Sequence, residues 1–131
     1  MGTRSRFGIV QEDGSILSVY HHWDGYPDWL GNHLVQNYNT PEKIRAVMAD
    51  GDMSTLQSSH DWNRNELNPP RPLYYKERGE NCPAQVSGNK LNFFALTNDC
   101  GGEYMYLFEN GKWTCYDNDG TVVMIPPNII P

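Results

Sequence analysis

The residues best suited to chemistry lie in residues 20–27, which read Tyr-His-His-Trp-Asp-Gly-Tyr-Pro and are called the corner segment below. Histidine and aspartate side chains can transfer protons near neutral pH or bind a metal ion. In an extended strand His22 and Asp24 share a face, whereas His21 points to the other face. One interpretation makes His22 and Asp24 the acid–base pair of a hydrolase or transferase that acts on a nucleotide. The other makes them hydrogen-bond partners of each other or of nearby backbone, fixing the corner.

A metal site at the corner segment would need further ligands from His33, or from His60 and Asp61. Three imidazole nitrogens and one carboxylate oxygen would suit zinc or iron. However, the sequence contains no HxH, HExxH or CxxC spacing. We therefore expect neither a bound metal ion nor a cofactor.

Residues 74–80 form a second polar cluster, which reads Tyr-Tyr-Lys-Glu-Arg-Gly-Glu. Arg78 offers a planar guanidinium to a phosphate or carboxylate, and Tyr75 offers a ring for stacking. Alternatively, Arg78 only pairs with a neighbouring glutamate or with Asp24 in a surface charge cluster. A shallow binding cleft forms if this cluster and the corner segment lie together. The candidate ligand- or partner-binding residues are then His22, Trp23, Asp24, Tyr26, Tyr75, Arg78, Glu80 and Arg4.

The N-terminal elements must position the corner segment. Residues 4–10 and 15–23 alternate apolar and polar side chains on either side of Asp13-Gly14, which predicts a β-hairpin. The corner segment breaks the second strand, and Gly25 would allow a positive φ at this break. Pro27 begins a helix whose apolar residues recur at helical spacing to about residue 38. Thr40 then caps a second helix, which ends at Gly51.

The remaining two thirds of the chain give weaker signals. Residues 54–71 lack an apolar period and predict a long loop with a short helical turn near residues 61–67. The next segments are predicted as a strand (73–76), a charged turn (77–81), a loop (85–89) and a short helix (91–96). Three strands follow, at 103–108, 112–117 and 121–125, and Asn110-Gly111 predicts a type I′ turn between the first two. In the first of these strands Tyr104, Tyr106 and Phe108 share one face, and Met105 and Leu107 share the other. The fold class is therefore α+β: a single domain over residues 1–131, in which N- and C-terminal hairpins build an antiparallel sheet covered on one face by a helical pair.

The charge balance restricts the function classes. The chain has 10 basic and 16 acidic side chains, a net charge of −6, so we expect no non-specific nucleic-acid binding. No apolar run approaches the length of a membrane helix, and no secretory signal is present, so no membrane association is expected. The three cysteines (Cys82, Cys100 and Cys115) are an odd number without a CxxC pair, which favours free thiols in a reducing cytoplasm.

Several short motifs follow one another along the chain: Thr3-Arg4-Ser5, His22–Pro27, Asn39–Lys43, Arg78-Gly79-Glu80, Glu103-Tyr104, Leu107-Phe108 and Asn110–Trp113. This order resembles a family of small proteins encoded by bacteriophages, prophages and mobile elements. The His-Trp-Asp-Gly-Tyr-Pro block is the specific part, and the similarity covers most of the chain. Where relatives tend to have His-Arg-Asp-Arg-Gly-Glu, residues 75–80 read Tyr-Lys-Glu-Arg-Gly-Glu, so one histidine is missing.

The resemblance implies a phage-type accessory protein that works in the cytoplasm of the bacterial host. No activity is established for that family, so the resemblance assigns no catalytic residue. We expect a non-enzymatic binding protein that counters host machinery or defence by holding a host protein or a small anionic, nucleotide-like ligand. The alternatives are the nucleotide-directed enzyme described above and a structural or assembly protein, whose Tyr and Trp side chains bury a homo-oligomer interface.

Overall fold

A mixed eight-stranded sheet forms the centre of the molecule in the computed structural model, which describes residues 3–126. The described part is α+β, as predicted, and three α-helices pack against the sheet. Strands β4-β3-β2-β1-β6-β7-β8 lie side by side in that order, while β5 pairs with another part of the β2 edge. The strands are β1 (Ser5–Val10), β2 (Ile16–His21), β3 (Met53–His60), β4 (Glu66–Tyr74), β5 (Gln85–Ser87), β6 (Tyr104–Glu109), β7 (Lys112–Asp117) and β8 (Val122–Val123).

The prediction of a purely antiparallel sheet is wrong. Strand β1 pairs antiparallel with β2 but parallel with β6, and β2 pairs parallel with β3 at His21 and Met53. Alternation along a strand reports which residues share a face, not the direction of the neighbouring strand. Strands β1 and β2 each have a second neighbour in the sheet. In both cases this neighbour is a parallel strand from later in the chain, β6 beside β1 and β3 beside β2.

The predicted loop over residues 54–71 is also wrong, because β3 and β4 form an antiparallel pair there. Three prolines (Pro69, Pro70 and Pro72) lie in β4, and proline normally argues against a strand. The strand tolerates them because it lies at the edge of the sheet and pairs only with β3. The short segment predicted as a loop at residues 85–89 contains β5, and β4 ends at Tyr74, followed by a single 3₁₀ turn (Tyr75–Arg78).

The helices begin close to where capping signals place them. The first helical segment begins with one π-helical turn (Pro27–Gly31) and continues as α1 (Asn32–Asn37). Helix α2 (Pro41–Met48) is capped by the Thr40 hydroxyl, which accepts a hydrogen bond from the Lys43 amide. Helix α3 (Lys90–Asp99) is longer than the predicted segment and packs against the opposite face of the sheet. No helix in residues 3–126 is long and apolar enough to cross a membrane.

Alternate side chains of the central strands enter two separate cores. Phe7, Val19 and Tyr106 point to the face covered by α1 and α2, where Leu34 and Ile44 pack on them. Met105 and Leu107 point to the other face and pack with Ile16 and Phe93. The predicted division of β6 into a Tyr106–Phe108 face and a Met105–Leu107 face is therefore confirmed. Polar residues near the end of β1 and β2 extend the second face toward the corner segment.

Candidate functional site

The corner segment is anchored to the first strand and to the sheet by its glycine. The Gly25 amide donates to the Thr3 carbonyl at 2.9 Å, and the Gly25 carbonyl accepts a hydrogen bond from the Tyr106 hydroxyl at 2.6 Å. The positive φ at this break belongs to Asp24 (59°), whereas Gly25 is not among the positive-φ residues. Glycine is needed for space: a Cβ on Gly25 would stand 2.6 Å from both the Thr3 carbonyl oxygen and Ser5 Oγ.

His21 is fully buried and has a structural role. Its Nε2 accepts a hydrogen bond from the Leu56 amide at 2.9 Å, so the proton of the neutral ring must lie on Nδ1. Nδ1 faces Ser5 Oγ at 3.5 Å, close to the limit for a hydrogen bond. Burial, and then the nearby His22 and His33, lower the pKa of His21 to about 3. The ring is therefore neutral at neutral pH and joins β2 to β3.

His22 points to the opposite face, as the strand alternation predicts, and is half-buried. Its Nδ1 lies 2.6 Å from the Tyr20 hydroxyl. Burial raises the pKa of Tyr20 to about 12, so the phenol keeps its proton and we assign it as the donor to Nδ1. The pKa of His22 is lowered, first by burial and then by the Arg4 charge. His22 is thus a neutral ring with its second nitrogen, Nε2–H, available as a donor.

The chain at the start of β3 brings the corner segment and the 3₁₀ turn together. The His22 and Trp23 amides donate to the carbonyls of Met53 and Ser54, at 3.2 and 2.8 Å. On the other side of this strand, the Tyr75 amide donates to the Asp52 carbonyl at 3.3 Å. Tyr75 also contributes to the raised pKa of Tyr20, after burial and the opposing effect of Arg4. The corner segment and the 3₁₀ turn therefore lie on opposite sides of residues 52–54.

Arg4 is the exposed cation of this region. It lies on the face that carries His22, and its charge lowers the pKa of both His22 and Tyr20. The side chain packs over Gly101, where an added Cβ would stand 3.0 Å from Nη1. No carboxylate of residues 3–126 forms an ion pair with Arg4. Its guanidinium therefore remains available near His22, whose Nε2 has no hydrogen-bond partner among residues 3–126.

Arg6 lies two residues after Arg4, in β1, and is only 3% exposed. Its Nε and Nη2 donate to Ser18 Oγ at 3.1 and 3.0 Å, and Nη2 also donates to the Ser18 carbonyl. Burial lowers the pKa of Arg6, while the Asp52 carboxylate and the Cys100 thiol raise it. Asp52 in turn accepts a hydrogen bond from the Tyr20 amide at 2.8 Å. This buried polar cluster fixes β1, β2 and the start of β3 behind the exposed groups.

Arg78 belongs to an aromatic cluster and makes no ion pair with Asp24 among the described residues. Its Nε donates to Glu80 at 2.7 Å, as the surface-cluster interpretation predicts. The guanidinium carbon lies 4.3 Å from the ring centre of Trp62 and 5.1 Å from that of Tyr75. The indole nitrogen of Trp62 donates to the Tyr74 carbonyl at 2.9 Å. The tip of the β3–β4 hairpin therefore folds back and stacks on the 3₁₀ turn.

Replacing Arg78 with alanine is expected to lower the free energy of unfolding by no more than about 3 kcal/mol, because one exposed ion pair and two exposed cation–π contacts each contribute up to about 1 kcal/mol. Urea denaturation measures the change. Lys76→Ala is the matched control, since Lys76 pairs with Asp50 at 3.4 Å on a more exposed surface and should lose less. A loss above about 3 kcal/mol would make Arg78 a structural clamp of the hairpin.

The structure brings some of the candidate residues together and separates others. His22 and Trp23 adjoin the start of β3 on one side and Tyr75 adjoins it on the other, whereas Arg4 lies on the β1 side of His22. Trp23 is 43% exposed, and its ring is edge-on to His22. Asp24 is exposed, and no hydrogen bond joins it to His22 in residues 3–126. Tyr26 lies near Tyr104 on the other side of the sheet and does not join the group. Arg78 and Glu80 extend the region beyond Tyr75.

Sequence reasoning missed two residues that shape the region. Trp62 lies in the stretch predicted as a loop, and its only signal was a large aromatic side chain within a polar segment. Asp52 was assigned to the end of a helix, although its carboxylate caps an amide of β2. Within residues 3–126 no three His, Cys, Asp or Glu side chains are grouped so that they could hold a metal ion.

Comparison with protein-family models, with curated proteins and with solved structures finds no match to this chain. The geometry of the region around Arg4 and His22 must therefore carry the functional argument.

Proposed function

We propose that the protein is a phage-type accessory protein that binds a small anionic, nucleotide-like ligand at the surface around Arg4 and His22. The observation that carries the proposal is the exposed guanidinium of Arg4, which pairs with no carboxylate of residues 3–126 and whose charge reaches the imidazole of His22. An exposed arginine with no carboxylate partner in the described chain is available to bind a phosphate. The resemblance to phage-encoded proteins supports a role against host machinery or defence in the bacterial cytoplasm.

The groups around Arg4 supply the two kinds of contact that a nucleotide needs. The Arg4 guanidinium and the Nε2–H of His22 are donors for phosphate oxygens, and neither requires a change of protonation at neutral pH. Trp23, which is 43% exposed, offers a ring face for a base, and Tyr75 borders the other side of the start of β3. The buried Arg6 adds positive charge behind this surface, which favours binding of an anion over binding of a neutral molecule.

The same geometry gives less support to the enzymatic alternative. An acid–base pair of His22 and Asp24 requires the two side chains to be held together. Instead, Nδ1 of His22 is hydrogen-bonded to the Tyr20 hydroxyl. Asp24 is exposed and adopts a left-handed backbone conformation. A binding role uses His22 as it stands, with one nitrogen fixed by Tyr20 and the other directed to a ligand.

Arg4→Ala is expected to weaken the binding of nucleoside monophosphates at least about tenfold, because one charge-assisted hydrogen bond to phosphate is lost. The probes are AMP and GMP, with inorganic phosphate and adenosine as part-ligands, titrated into ¹⁵N-labelled protein. The amides of His22, Trp23 and Gly101 should shift in the wild type, more with AMP than with adenosine.

The control is Arg45→Ala, which removes the same charge from the exposed face of α2, where Arg45 donates to Gln11 at 3.3 Å. This variant should bind AMP as the wild type does. If Arg4→Ala and Arg45→Ala reduce binding equally, the effect is only net charge. If none of the probes shifts residues near Arg4, the proposed ligand class is wrong.

A further inference from the structure

The outer edge of β5 remains unpaired in the described part of the chain. Strand β5 pairs with Ile16, Leu17 and Ser18 of β2 along one edge, and no strand pairs with its other edge. No turn or loop backbone hydrogen bond within residues 3–126 uses Gln85, Val86 or Ser87 either. Val86 is 64% exposed. The outer peptide groups of β5 therefore have no backbone partner in residues 3–126.

The edge of β5 spans only three residues, but it lacks the prolines that interrupt the outer strand β4. Prolines within β4 remove backbone donors, and β8 spans only two residues and is followed closely by Pro126. Proline and very short strands are common ways to prevent a further strand from pairing with a sheet edge. Strand β5 reads Gln-Val-Ser and contains neither proline nor a charged residue. Its free edge can therefore pair with another strand.

A groove of about 540 Å³ runs between β5 and α3. On the helix side its lining residues Asn92, Leu96 and Asp99 lie at positions i, i+4 and i+7, so they share one face of α3. Asp99 is the charged residue of the lining, and no basic side chain lines the groove. An edge strand beside a helix face is a recurrent setting for extended peptides, which gain main-chain hydrogen bonds from the strand and side-chain contacts from the helix.

We propose that the free edge of β5 binds an extended, basic peptide segment of a partner protein by adding a strand to the sheet, with its basic side chains in the groove beside α3. Side chains alternate along the added strand, so one set faces α3 and the other set lies beside Val86. Lysine or arginine in the first set meets Asp99 and Asn92, while their methylene stems cover Leu96. Apolar β-branched residues in the second set continue the surface of Val86.

The probe is a capped hexapeptide of alternating valine and lysine, titrated into the ¹⁵N-labelled full chain. We expect a dissociation constant below about 1 mM, shifts confined to residues 85–88 and the groove face of α3, and slower amide exchange at β5. The same peptide with N-methyl groups on alternate residues keeps its charge but loses main-chain donors, and should bind at least about tenfold more weakly.

Two protein variants separate the groove from general electrostatic attraction. Asp99→Asn should weaken binding of the valine–lysine peptide several-fold, whereas Glu42→Gln, which removes one exposed carboxylate from α2, should not. Equal binding of the N-methylated peptide, or shifts outside β5 and α3, would overturn the proposal. Concentration-dependent dimerisation in sedimentation, abolished by Val86→Lys, would also overturn it, because the edge would then belong to a second copy of this chain.

Discussion

Acidification from pH 6.5 to pH 5 is expected to lower the free energy of unfolding by about 2 kcal/mol, mainly through His21. The pKa of this histidine is about 3 in the folded protein, against 6.5 for a free side chain. Between these two values the unfolded chain binds a proton that the folded protein does not, so stability decreases as the pH decreases. The slope is about 1.4 kcal/mol per pH unit. The lowered pKa values of His22 and His33 act in the same direction.

Urea denaturation at pH 7, 6.5, 5.5 and 5 measures this effect in a range where carboxylates contribute little, because their unfolded pKa values are near 4. His21→Gln is the informative variant: its amide oxygen replaces Nε2 as the acceptor for Leu56 without a titrating group, so the slope should decrease.

A measurement on the wild-type protein tests the same assignment without the His21→Gln variant. The ring ¹⁵N shifts of His21 in the wild type should show a neutral Nδ1–H tautomer with no titration above pH 5. A His21 ring that titrates near pH 6.5, or a stability that is constant between pH 6.5 and 5, contradicts the assignment.

Gly25→Ala is expected to lower the free energy of unfolding by about 3 kcal/mol, because the new methyl group overlaps with β1. The Cβ would stand 2.6 Å from the Thr3 carbonyl oxygen and 2.8 Å from the Ser5 Cβ, and backbone cannot move aside as a flexible side chain can. Any shift of the corner segment also strains the hydrogen bond from the Tyr106 hydroxyl to the Gly25 carbonyl, whose donor is fully buried.

The matched control is Gly88→Ala, since Gly88 has no positive φ and its Cβ would meet only Asn92 Nδ2 at 3.4 Å. That variant should change the free energy of unfolding by less than about 1 kcal/mol. Thermal and urea denaturation of both proteins provide the comparison. If Gly25→Ala is as stable as Gly88→Ala, the close approach of the corner to β1 does not exist in solution.

Local signals in the sequence predicted the local structure well. The alternation of β2 placed His21 and His22 on opposite faces, and the structure confirms this with one ring buried and the other half-buried. Thr40-Pro41 marked the start of α2, and Asn110-Gly111 supplied the two positive φ values of a type I′ turn (56° and 80°). Each of these features depends on residues within a few positions of each other.

Features that depend on distant residues could not be predicted in this way. The loop predicted over residues 54–71 rested on the missing apolar period, which arises because all but one of the β4 side chains are exposed or half-buried. The residues of β1 and β6 do not indicate whether the two strands pair parallel or antiparallel. At the site, the position of Trp62 above Arg78 depends on how the β3–β4 hairpin folds back, and the carboxylate of Asp52 meets Tyr20 across two strands.

The parallel pairing of β1 with β6 has a consequence for synthesis of the chain. Strand β1 lies in the middle of the sheet, but its partner β6 is translated roughly a hundred residues later. Until residues 104–109 leave the ribosome, Phe7 and Ile9 lack the neighbouring strand that covers them in the native core. The nascent chain therefore exposes an apolar strand edge during most of its translation, and we expect chaperone contact with the emerging N-terminal hairpin.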